Sequence, residues 1–296
     1  MAHAVARCTF PASRSVQQIT GITGAPGAGK STLTDRLIAR WRTDGDTVGV
    51  LAVDPSSPFS GGALLGDRVR MQRHATDPGV FIRSMATRGH LGGLTLAVPE
   101  ALRVLVAAGW GRVLVETVGV GQAEVEIADN ADTTVVVVNP GWGDAIQANK
   151  AGLLEVADVL VINKADRPGA AETARDLATM LDTYREARPW RPPVVATVAT
   201  TGEGIEELWE SLRRHMDFLR SSGELGARRE ARLRRELNEV VTRRIEAAVR
   251  GGAQAPRWAL IEAEVGAQRL DPYEAATILL GELGLDPDAT QRPAAG

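Results

Sequence analysis

The 296-residue chain has a single cysteine, Cys8, and almost no net charge. One cysteine cannot form an intramolecular disulfide or a thiol metal cluster, and such a composition is typical of a reducing compartment. A formal net charge of −3 provides no overall field that would attract nucleic acid or an anionic membrane. These absences predict a cytoplasmic protein whose main partner is neither nucleic acid nor a membrane.

Long hydrophobic runs are also missing. No stretch approaches the ~20 apolar residues of a membrane-spanning helix. Residues 1–18 lack the continuous apolar segment, roughly 7–15 residues long, that a secretory signal requires. We expect them to be a flexible N-terminal leader. Because 44% of the chain is hydrophobic, the rest can still form a large α/β core.

A phosphate-binding motif follows this leader. The motif consists of Gly24, Ala25, Pro26, Gly27, Ala28, Gly29, Lys30, Ser31 and Thr32. It matches the P-loop pattern, and it lies between the apolar run Ile19–Thr23 and the periodic segment Leu33–Trp41, which is the strand, loop and helix order that the pattern requires. We predict that the loop amides surround a phosphate chain, that Lys30 reaches the β- and γ-phosphates, and that Ser31 ligates Mg²⁺.

Two carboxylates bracket the next loop. Thr47–Val53 is a continuous apolar run typical of a buried parallel strand, and it ends at Asp54. Asp67 follows a segment rich in Pro, Ser and Gly. Both side chains are candidates for direct or water-mediated Mg²⁺ contacts, because Mg²⁺ prefers hard oxygen ligands and keeps several waters. The alternative for either residue is a helix N-cap.

A second loop that senses phosphate is predicted after the strand Val113–Val115. Glu116 ends this strand and is a candidate for a direct or water-mediated Mg²⁺ contact, while Gly119 supplies an amide for the γ-phosphate. In Ras-like GTPases a Gln directly after that Gly orients the attacking water, whereas this chain has Val120 there and Gln122 two residues later. We therefore predict slow intrinsic hydrolysis that a partner or a rearranged loop must accelerate.

The base-recognition motif Asn163-Lys164-Ala165-Asp166 follows the apolar run Val159–Ile162. The Asp166 carboxylate can accept hydrogen bonds from N1–H and the N2 amine of guanine, whereas adenine would leave the carboxylate unpaired. The Lys164 stem would cover the base. After the strand Pro193–Val198, the small residues Ala199, Thr200 and Thr201 are expected to present backbone amides to guanine O6. The predicted nucleotide is GTP or GDP.

These elements predict an α/β fold, a P-loop NTPase with a mostly parallel sheet flanked by helices. We assign residues 19–222 to the P-loop GTPase domain, 223–286 to a helical C-terminal arm and 287–296 to a loose tail. Apolar residues recur at helical spacing through 224–250, and this stripe must either fold back on the domain or pair with a second copy. Five arginines lie between positions 228 and 235, but the interspersed Glu230, Glu236 and Glu239 favour a solvated helix face over a nucleic-acid surface.

Several longer segments together resemble the MeaB/ArgK/MMAA family of P-loop GTPases. They are the P-loop, Asp54-Pro55-Ser56-Ser57, Gly66-Asp67-Arg68-x-Arg70-Met71, Glu116-Thr117-Val118-Gly119-Val120-Gly121-Gln122, Pro140-Gly141-x-Gly143-Asp144-x-x-Gln147-x-x-Lys150-x-Gly152 and Asn163-Lys164-Ala165-Asp166. Members of this family are GTPase chaperones of adenosylcobalamin-dependent acyl-CoA mutases, most often methylmalonyl-CoA mutase. They gate cofactor loading and protect the mutase from inactivation.

The resemblance implies roles for individual residues. Asp54 and Asp67 would belong to the first switch, and Glu116, Gly119 and Gln122 to the second. The third switch would span Pro140–Lys150 and relay the nucleotide state to the mutase. Its polar contacts would be Asp144, Gln147 and Lys150. The C-terminal arm would make a homodimer.

Trp142 in the third switch suggests a subgroup that serves a different mutase, for example one acting on isobutyryl-CoA or 2-hydroxyisobutyryl-CoA. An exposed aromatic on such a loop indicates a contact surface, or alternatively a partly buried lid.

Two other functions remain open at this point. A metal-insertion GTPase of the hydrogenase or urease type shares the fold, but such proteins tend to carry Cys/His ligands. Here His3, His74, His90 and His215 have no ligand spacing and are expected to be surface or loop residues. A protein phosphotransferase would need a base for the acceptor hydroxyl, and the guanine-reading motif disfavours an ATP kinase.

Overall fold

The computed structural model describes residues 18–54, 71–86, 97–117, 123–141, 155–183, 189–251 and 254–285. Its strands are β1 Gln18–Gly24, β2 Val48–Asp54, β3 Val80–Ala86, β4 Arg112–Thr117, β5 Thr133–Val138, β6 Val159–Asn163 and β7 Val194–Thr197. The helices with described bounds are α1 Lys30–Thr43, α2 Ala97–Ala107, α3 Ala123–Asn130, α4 Ala170–Thr183, α5 Ile205–Ser222, α6 Glu224–Arg250, α7 Ala255–Gly266 and α8 Pro272–Glu282.

The seven strands form one sheet in the order β3-β2-β4-β1-β5-β6-β7. All of the neighbouring strands are paired in parallel. Strand β1 therefore lies between β4 and β5, and the P-loop leaves its carboxyl end at the centre of the sheet. This architecture confirms the predicted α/β fold with its parallel sheet.

Helices cover both faces of the sheet, which is why most of its strands are rich in apolar residues. Successive side chains of a strand point to opposite faces. Val48 and Val50 of β2 pack in the cluster that contains α1 and α5, whereas Leu51 and Val53 pack in the cluster that contains α2 and α3. Helix α4 covers β5 and β6 on that second face. Two buried faces favour apolar residues at most positions of a strand.

Strand β3 and helix α4 are less well marked in the sequence. The sequence indicated a strand only over Phe81–Arg83, whereas β3 extends over Val80–Ala86 at the edge of the sheet. Phe81 is 41% exposed, which shows that this edge strand is partly open to solvent. Such a strand can carry polar residues, so its sequence is not a continuous apolar run. Helix α4 was not predicted, because its exposed face is polar and only a few apolar side chains, such as Leu177 and Leu181, are buried.

A buried ionic cluster lies at the amino edge of the sheet. Asp158, which precedes β6, accepts hydrogen bonds from both terminal nitrogens of Arg228 at 3.0 Å. His215 Nε2 lies 3.2 Å from Asp158 Oδ1. Asp132, which precedes β5, accepts from Arg229 at 2.7 Å. Burial alone would raise the pKa of Asp158, but hydrogen bonds and charge from His215 and Arg228 outweigh it and hold that pKa below its ordinary value.

The histidines were expected to be surface or loop residues, and the structure corrects this for His215, which is fully buried in α5. His74 lies in the connection between β2 and β3, as a loop residue would, but it is only 8% exposed. Thr133 Oγ1 lies 2.9 Å from His215 Nδ1, and the Trp190 ring packs against the imidazole. His74 lies 3.1 Å from the Asp35 carboxylate. Each imidazole ring is buried against polar partners that are distant in the sequence, so no local sequence pattern could predict its burial. His3 and His90 lie outside the described residues.

The chain divides into two compact units, residues 1–229 and 230–296. In the second unit, helices α7 and α8 and the end of α6 form a small core around Val249, Ile261, Ala275 and Leu279. The Asp271 side chain caps α8 by accepting from the amides of residues 273 and 274. Within the described residues, no helix combines the length and apolarity needed to cross a bilayer.

Candidate nucleotide site

The P-loop curls around the ammonium group of Lys30. Lys30 Nζ donates to the carbonyl oxygens of Gly24 and Ala25 at 2.6 and 3.0 Å. Helix α1 begins at this residue, so the loop amides stand at the positive end of the helix dipole. A cation beside a helix N-terminus is an arrangement that can bind phosphate, in agreement with the P-loop motif.

The glycine before Lys30 is required by two independent constraints. Gly29 has φ of +90°, a conformation that L side chains rarely adopt. A Cβ atom on Gly29 would also lie 2.3 Å from Asn163 Nδ2. The P-loop and the base-recognition motif are therefore packed directly against each other.

Ser31 and Glu116 meet behind the P-loop. The Ser31 hydroxyl donates to Glu116 Oε1 at 2.7 Å, and both residues are buried. Strand pairing explains the contact, since Glu116 of β4 is in register with Ile22 of β1. A hydroxyl and a carboxylate are hard oxygen donors of the kind that Mg²⁺ accepts. The predicted metal ligands Ser31 and Glu116 thus occupy one place that fits a magnesium ion.

The other predicted switch residues are only partly described. Asp54 is the last residue of β2, where its backbone is in register with Ala86 of β3. It thus lies at the carboxyl edge of the sheet, as does Glu116 on the adjacent strand. Asp67, Gly119 and Gln122 lie outside the described residues.

Asn163 connects three parts of the site. Its Nδ2 donates to Ala28 O of the P-loop at 2.7 Å. Its Oδ1 accepts from Thr197 Oγ1 at 3.2 Å and from the Ala199 amide at 3.1 Å. A buried amide with all these partners fixes the relative positions of the phosphate loop, β7 and the loop that follows β7.

Lys164 and Asp166 flank this bridge. Lys164 has φ of +59° and donates from Nζ to Gly27 O at 2.6 Å, so its side chain crosses from the base-recognition motif to the P-loop. Asp166 is exposed. The Asp166 carboxylate is therefore open to solvent at the end of the motif, where the sequence predicts that it binds the base.

The loop after β7 uses two of its predicted donors internally. The Ala199 amide donates to Asn163, and the Thr201 amide donates to Val198 O at 3.0 Å. Sequence analysis missed Arg36 of α1, whose Nε donates to Ala199 O at 2.8 Å and whose terminal nitrogen donates to Thr200 O. Arg36 belongs to no motif, so only its position on α1 could have suggested a role.

The third-switch residues Asp144, Gln147 and Lys150, together with Trp142, lie outside the described residues. The described chain reaches Gly141, whose amide donates to Thr173 Oγ1 of α4 at 3.3 Å. The start of the predicted third switch therefore contacts the helix that follows the base-recognition motif in the chain.

A family model described as methylmalonyl Co-A mutase-associated GTPase MeaB matches residues 3–254. The chain belongs to the MeaB family. A curated Pyrococcus abyssi protein, named as a GTPase, is 53% identical to this MeaB-family chain over 269 residues, which cover 90% of the chain and 83% of the relative. A mouse relative, named methylmalonic aciduria type A homolog, mitochondrial, is 40% identical over 214 residues, covering 71% of the chain and 52% of the relative.

A solved structure gives the same result for the fold of this MeaB-family protein. The crystal structure of a LAO/AO transport system kinase matches it with a TM-score of 0.65 and 26% identity, covering 92% of this chain and 83% of that one. The predicted family is therefore confirmed. The protein is a P-loop GTPase with a parallel sheet and a helical C-terminal region.

Proposed function

We propose that this protein is a GTP-hydrolysing chaperone of an adenosylcobalamin-dependent acyl-CoA mutase. The description of its family as methylmalonyl Co-A mutase-associated supports the partner. The observation that supports the chemistry best is the hydrogen bond from Asn163 to Ala28, because it joins the Asn-Lys-x-Asp motif directly to the P-loop. The client would be methylmalonyl-CoA mutase or a relative that acts on isobutyryl-CoA or 2-hydroxyisobutyryl-CoA.

In the proposed reaction, water attacks the γ-phosphorus of GTP and releases GDP and phosphate. The protein contributes positioning and charge stabilisation. Lys30 exchanges its contacts with Gly24 and Ala25 for contacts with phosphate oxygens of GTP. The P-loop amides bind the same phosphate groups. Ser31 and Glu116 would hold Mg²⁺, and the bound ion would supply positive charge that neutralises the phosphates. Asp54 and Asp67 of the first switch would contribute further oxygen ligands, directly or through water, and the Gly119 amide would meet the γ-phosphate.

Guanine selection would depend on the other half of the site. Asp166 accepts hydrogen bonds from N1–H and the N2 amine, and Lys164 covers the base. Asn163 begins the same motif, and its hydrogen bonds with Ala28 and Ala199 hold the motif in position. Adenine offers no matching donors and would leave the Asp166 carboxylate without partners.

Slow hydrolysis is expected of the protein alone. The position directly after Gly119 is Val120, which cannot orient water by a hydrogen bond, and Gln122 is two residues further on. We infer that the mutase rearranges this loop through the third switch, where Asp144, Gln147 and Lys150 supply polar contacts. A homodimer formed through the C-terminal arm and a cytoplasmic location also remain predictions. The mouse relative is named as mitochondrial.

The deciding measurement is the GTP hydrolysis rate of the purified protein, alone and with candidate adenosylcobalamin mutases. We expect slow turnover alone and a rise of about tenfold or more with the correct mutase, which corresponds to about 1.4 kcal/mol of added transition-state stabilisation. Lys150→Ala should bind GTP normally but lose the stimulation. Arg175→Ala, an exposed arginine of α4, is the matched control and should be stimulated like the wild type.

Fast turnover that no mutase changes would contradict the chaperone role. The phosphotransferase alternative is supported only by the name of the related transport system kinase. It predicts that label from the γ-phosphate of GTP appears on a protein. Release of all label as free phosphate would exclude it.

A further inference from the structure

Arg36 joins helix α1 to the loop that follows β7. Its Nε donates to the carbonyl oxygen of Ala199 at 2.8 Å, and its terminal nitrogen donates to the carbonyl oxygen of Thr200. Gly29 directly precedes α1, and Arg36 lies two helical turns further along that helix. The Arg36 side chain is half-buried. The proposed hydrolysis does not use this contact.

The contact determines where an amide on the same loop points. A peptide group is planar and trans, so the carbonyl oxygen of Ala199 and the N–H of Thr200 point in opposite directions. Because Arg36 holds that carbonyl towards α1, the Thr200 N–H must point away from α1. The second bond, to Thr200 O, fixes the following peptide group as well.

The remaining amides of this loop are already used. The Ala199 amide donates to Asn163 Oδ1, the Thr201 amide to Val198 O, and the Gly202 amide also to Val198 O. Within the described chain, the Thr200 N–H is thus the donor among Ala199, Thr200 and Thr201 that the hydrogen bonds of the loop itself do not use. It is the donor best placed to meet a ligand.

We propose that Arg36 is a positioning residue that aims the Thr200 amide at the 6-oxo group of a purine, and that it thereby sets the preference for guanine over adenine. This inference rests on the proposed binding of GTP and GDP. A 6-oxo group accepts the hydrogen bond from Thr200, whereas the 6-amino group of adenine presents a donor to a donor. Arg36 itself does not touch the base.

Two nucleotides separate this role from that of Asp166. Hypoxanthine keeps the 6-oxo group of guanine but lacks the N2 amine that Asp166 would bind. A residue that acts on the 6-oxo contact must affect GDP and inosine diphosphate equally. A residue that acts through Asp166 would change the ratio between them.

Arg40 provides a matched control one helical turn later. It binds Glu206 at 2.5 and 2.9 Å and Asp44 at 2.6 Å. Arg40 lies on the same side of α1 as Arg36 and attaches α1 to the start of α5. It donates to no carbonyl oxygen of residues 199–201.

The test measures the affinities of wild type, Arg36→Ala, Arg36→Lys and Arg40→Ala for GDP, inosine diphosphate and ADP by displacement of a fluorescent nucleotide. We expect Arg36→Ala to lose about tenfold in affinity for GDP and for inosine diphosphate, since it frees a hydrogen-bonding carbonyl and misdirects an amide. ADP binding should be unchanged, so the GDP-to-ADP ratio falls about tenfold. Arg36→Lys, whose donors all lie on one nitrogen and cannot match the planar guanidinium fork, should be intermediate, and Arg40→Ala should match the wild type.

Three outcomes would contradict the inference. If Arg36→Ala keeps the wild-type GDP-to-ADP ratio, Arg36 does not set the base preference. If all three nucleotides weaken equally, its role is only structural. If the wild type itself does not prefer GDP to ADP, the proposed function fails together with this inference. Melting temperatures of Arg36→Ala and Arg40→Ala accompany the measurement, and similar values exclude general destabilisation as the cause.

Discussion

At the scale of single residues, the P-loop and the base-recognition motif are packed closely against each other. Gly29 and Asn163 show this most clearly, because the missing side chain of Gly29 is the space that the Asn163 amide occupies. Asn163 in turn binds Ala28 and Ala199. The phosphate loop and the base-recognition motif therefore act as one rigid unit.

Replacing Gly29 with alanine should disrupt this unit. We expect Gly29→Ala to lose at least about tenfold in GDP affinity, because Cβ would displace Asn163, in addition to about 1 kcal/mol of backbone strain. Gly45→Ala is the control, since Gly45 has φ of +82° but no atom within 4 Å of an added Cβ. It should lose similar stability without losing affinity. Calorimetric titration and chemical denaturation measure the two effects, and equal GDP affinity of both variants would contradict the prediction.

Glu116 allows a second test at this scale. Glu116→Gln keeps an oxygen that can accept from Ser31 but removes the negative charge next to the predicted magnesium site. We expect the Mg²⁺ concentration for half-maximal GTP hydrolysis to rise about tenfold, since a neutral amide is a weaker ligand for a hard cation. GDP binding measured in EDTA should not change. Glu100→Gln, at an exposed position of α2, is the control, and an unchanged Mg²⁺ dependence in Glu116→Gln would argue against the assignment.

At the scale of secondary structure elements, the amino edge of the sheet connects β5 and β6 to the first turns of α6. Asp158 and Asp132 are buried, and Arg228 and Arg229 reach them from the helix. Buried carboxylates need such partners, because an unpaired charge is costly in the interior. The arginines that resemble a charged surface in the sequence are thus partly structural.

Removing Arg228 should destabilise the fold. We expect Arg228→Ala to lower the free energy of unfolding by about 2 kcal/mol, because Asp158 remains buried without its bidentate partner. The loss is not larger because Arg228 is itself partly exposed. Arg234→Ala, on the same helix and paired only with exposed Glu230, should cost about 0.5 kcal/mol or less. Urea denaturation of both variants tests the difference. Equal losses would mean that the ion pair with Asp158 contributes little.

The same carboxylate predicts a pH dependence. The pKa of Asp158 is below its ordinary value in the folded state, so the unfolded state binds its proton first. The stability that it contributes is present above the ordinary aspartate value of about 4 and is lost as the pH falls through the lower folded-state pKa. Asp158→Asn should therefore flatten the decline in stability on the acid side, as measured by urea denaturation between neutral and acid pH. An identical slope in wild type and variant would contradict the prediction.

At the scale of the whole molecule, the C-terminal unit buries only part of the apolar stripe of α6. Ile245 and Val249 pack in the core with α7 and α8. Leu233, Leu237 and Val241, earlier on the same stripe, are 53%, 62% and 47% exposed. The predicted homodimer would use this exposed part of the stripe.

A charge on the stripe should prevent that association. We expect Leu237→Glu to sediment as a monomer at concentrations where the wild type is a dimer, because a buried unpaired carboxylate costs several kcal/mol. Val104→Glu, at a 67% exposed position of α2, is the control and should leave the mass unchanged. A wild type that sediments as a monomer would disprove the dimer, and a dimeric Leu237→Glu would move the interface elsewhere.

The parallel sheet, the family and the phosphate and guanine motifs could all be predicted from the amino-acid sequence. Each of these is a local pattern, since most buried strands are apolar runs and a P-loop or base motif spans fewer than ten residues. How the motifs combine became visible in the three-dimensional structure. The Ser31–Glu116, Asn163–Ala28 and Arg36–Ala199 contacts join residues 85, 135 and 163 positions apart, through strand pairing and helix packing that no local pattern encodes. The burial of His215 and the division of the α6 stripe into a packed and an exposed part depend on the same long-range packing.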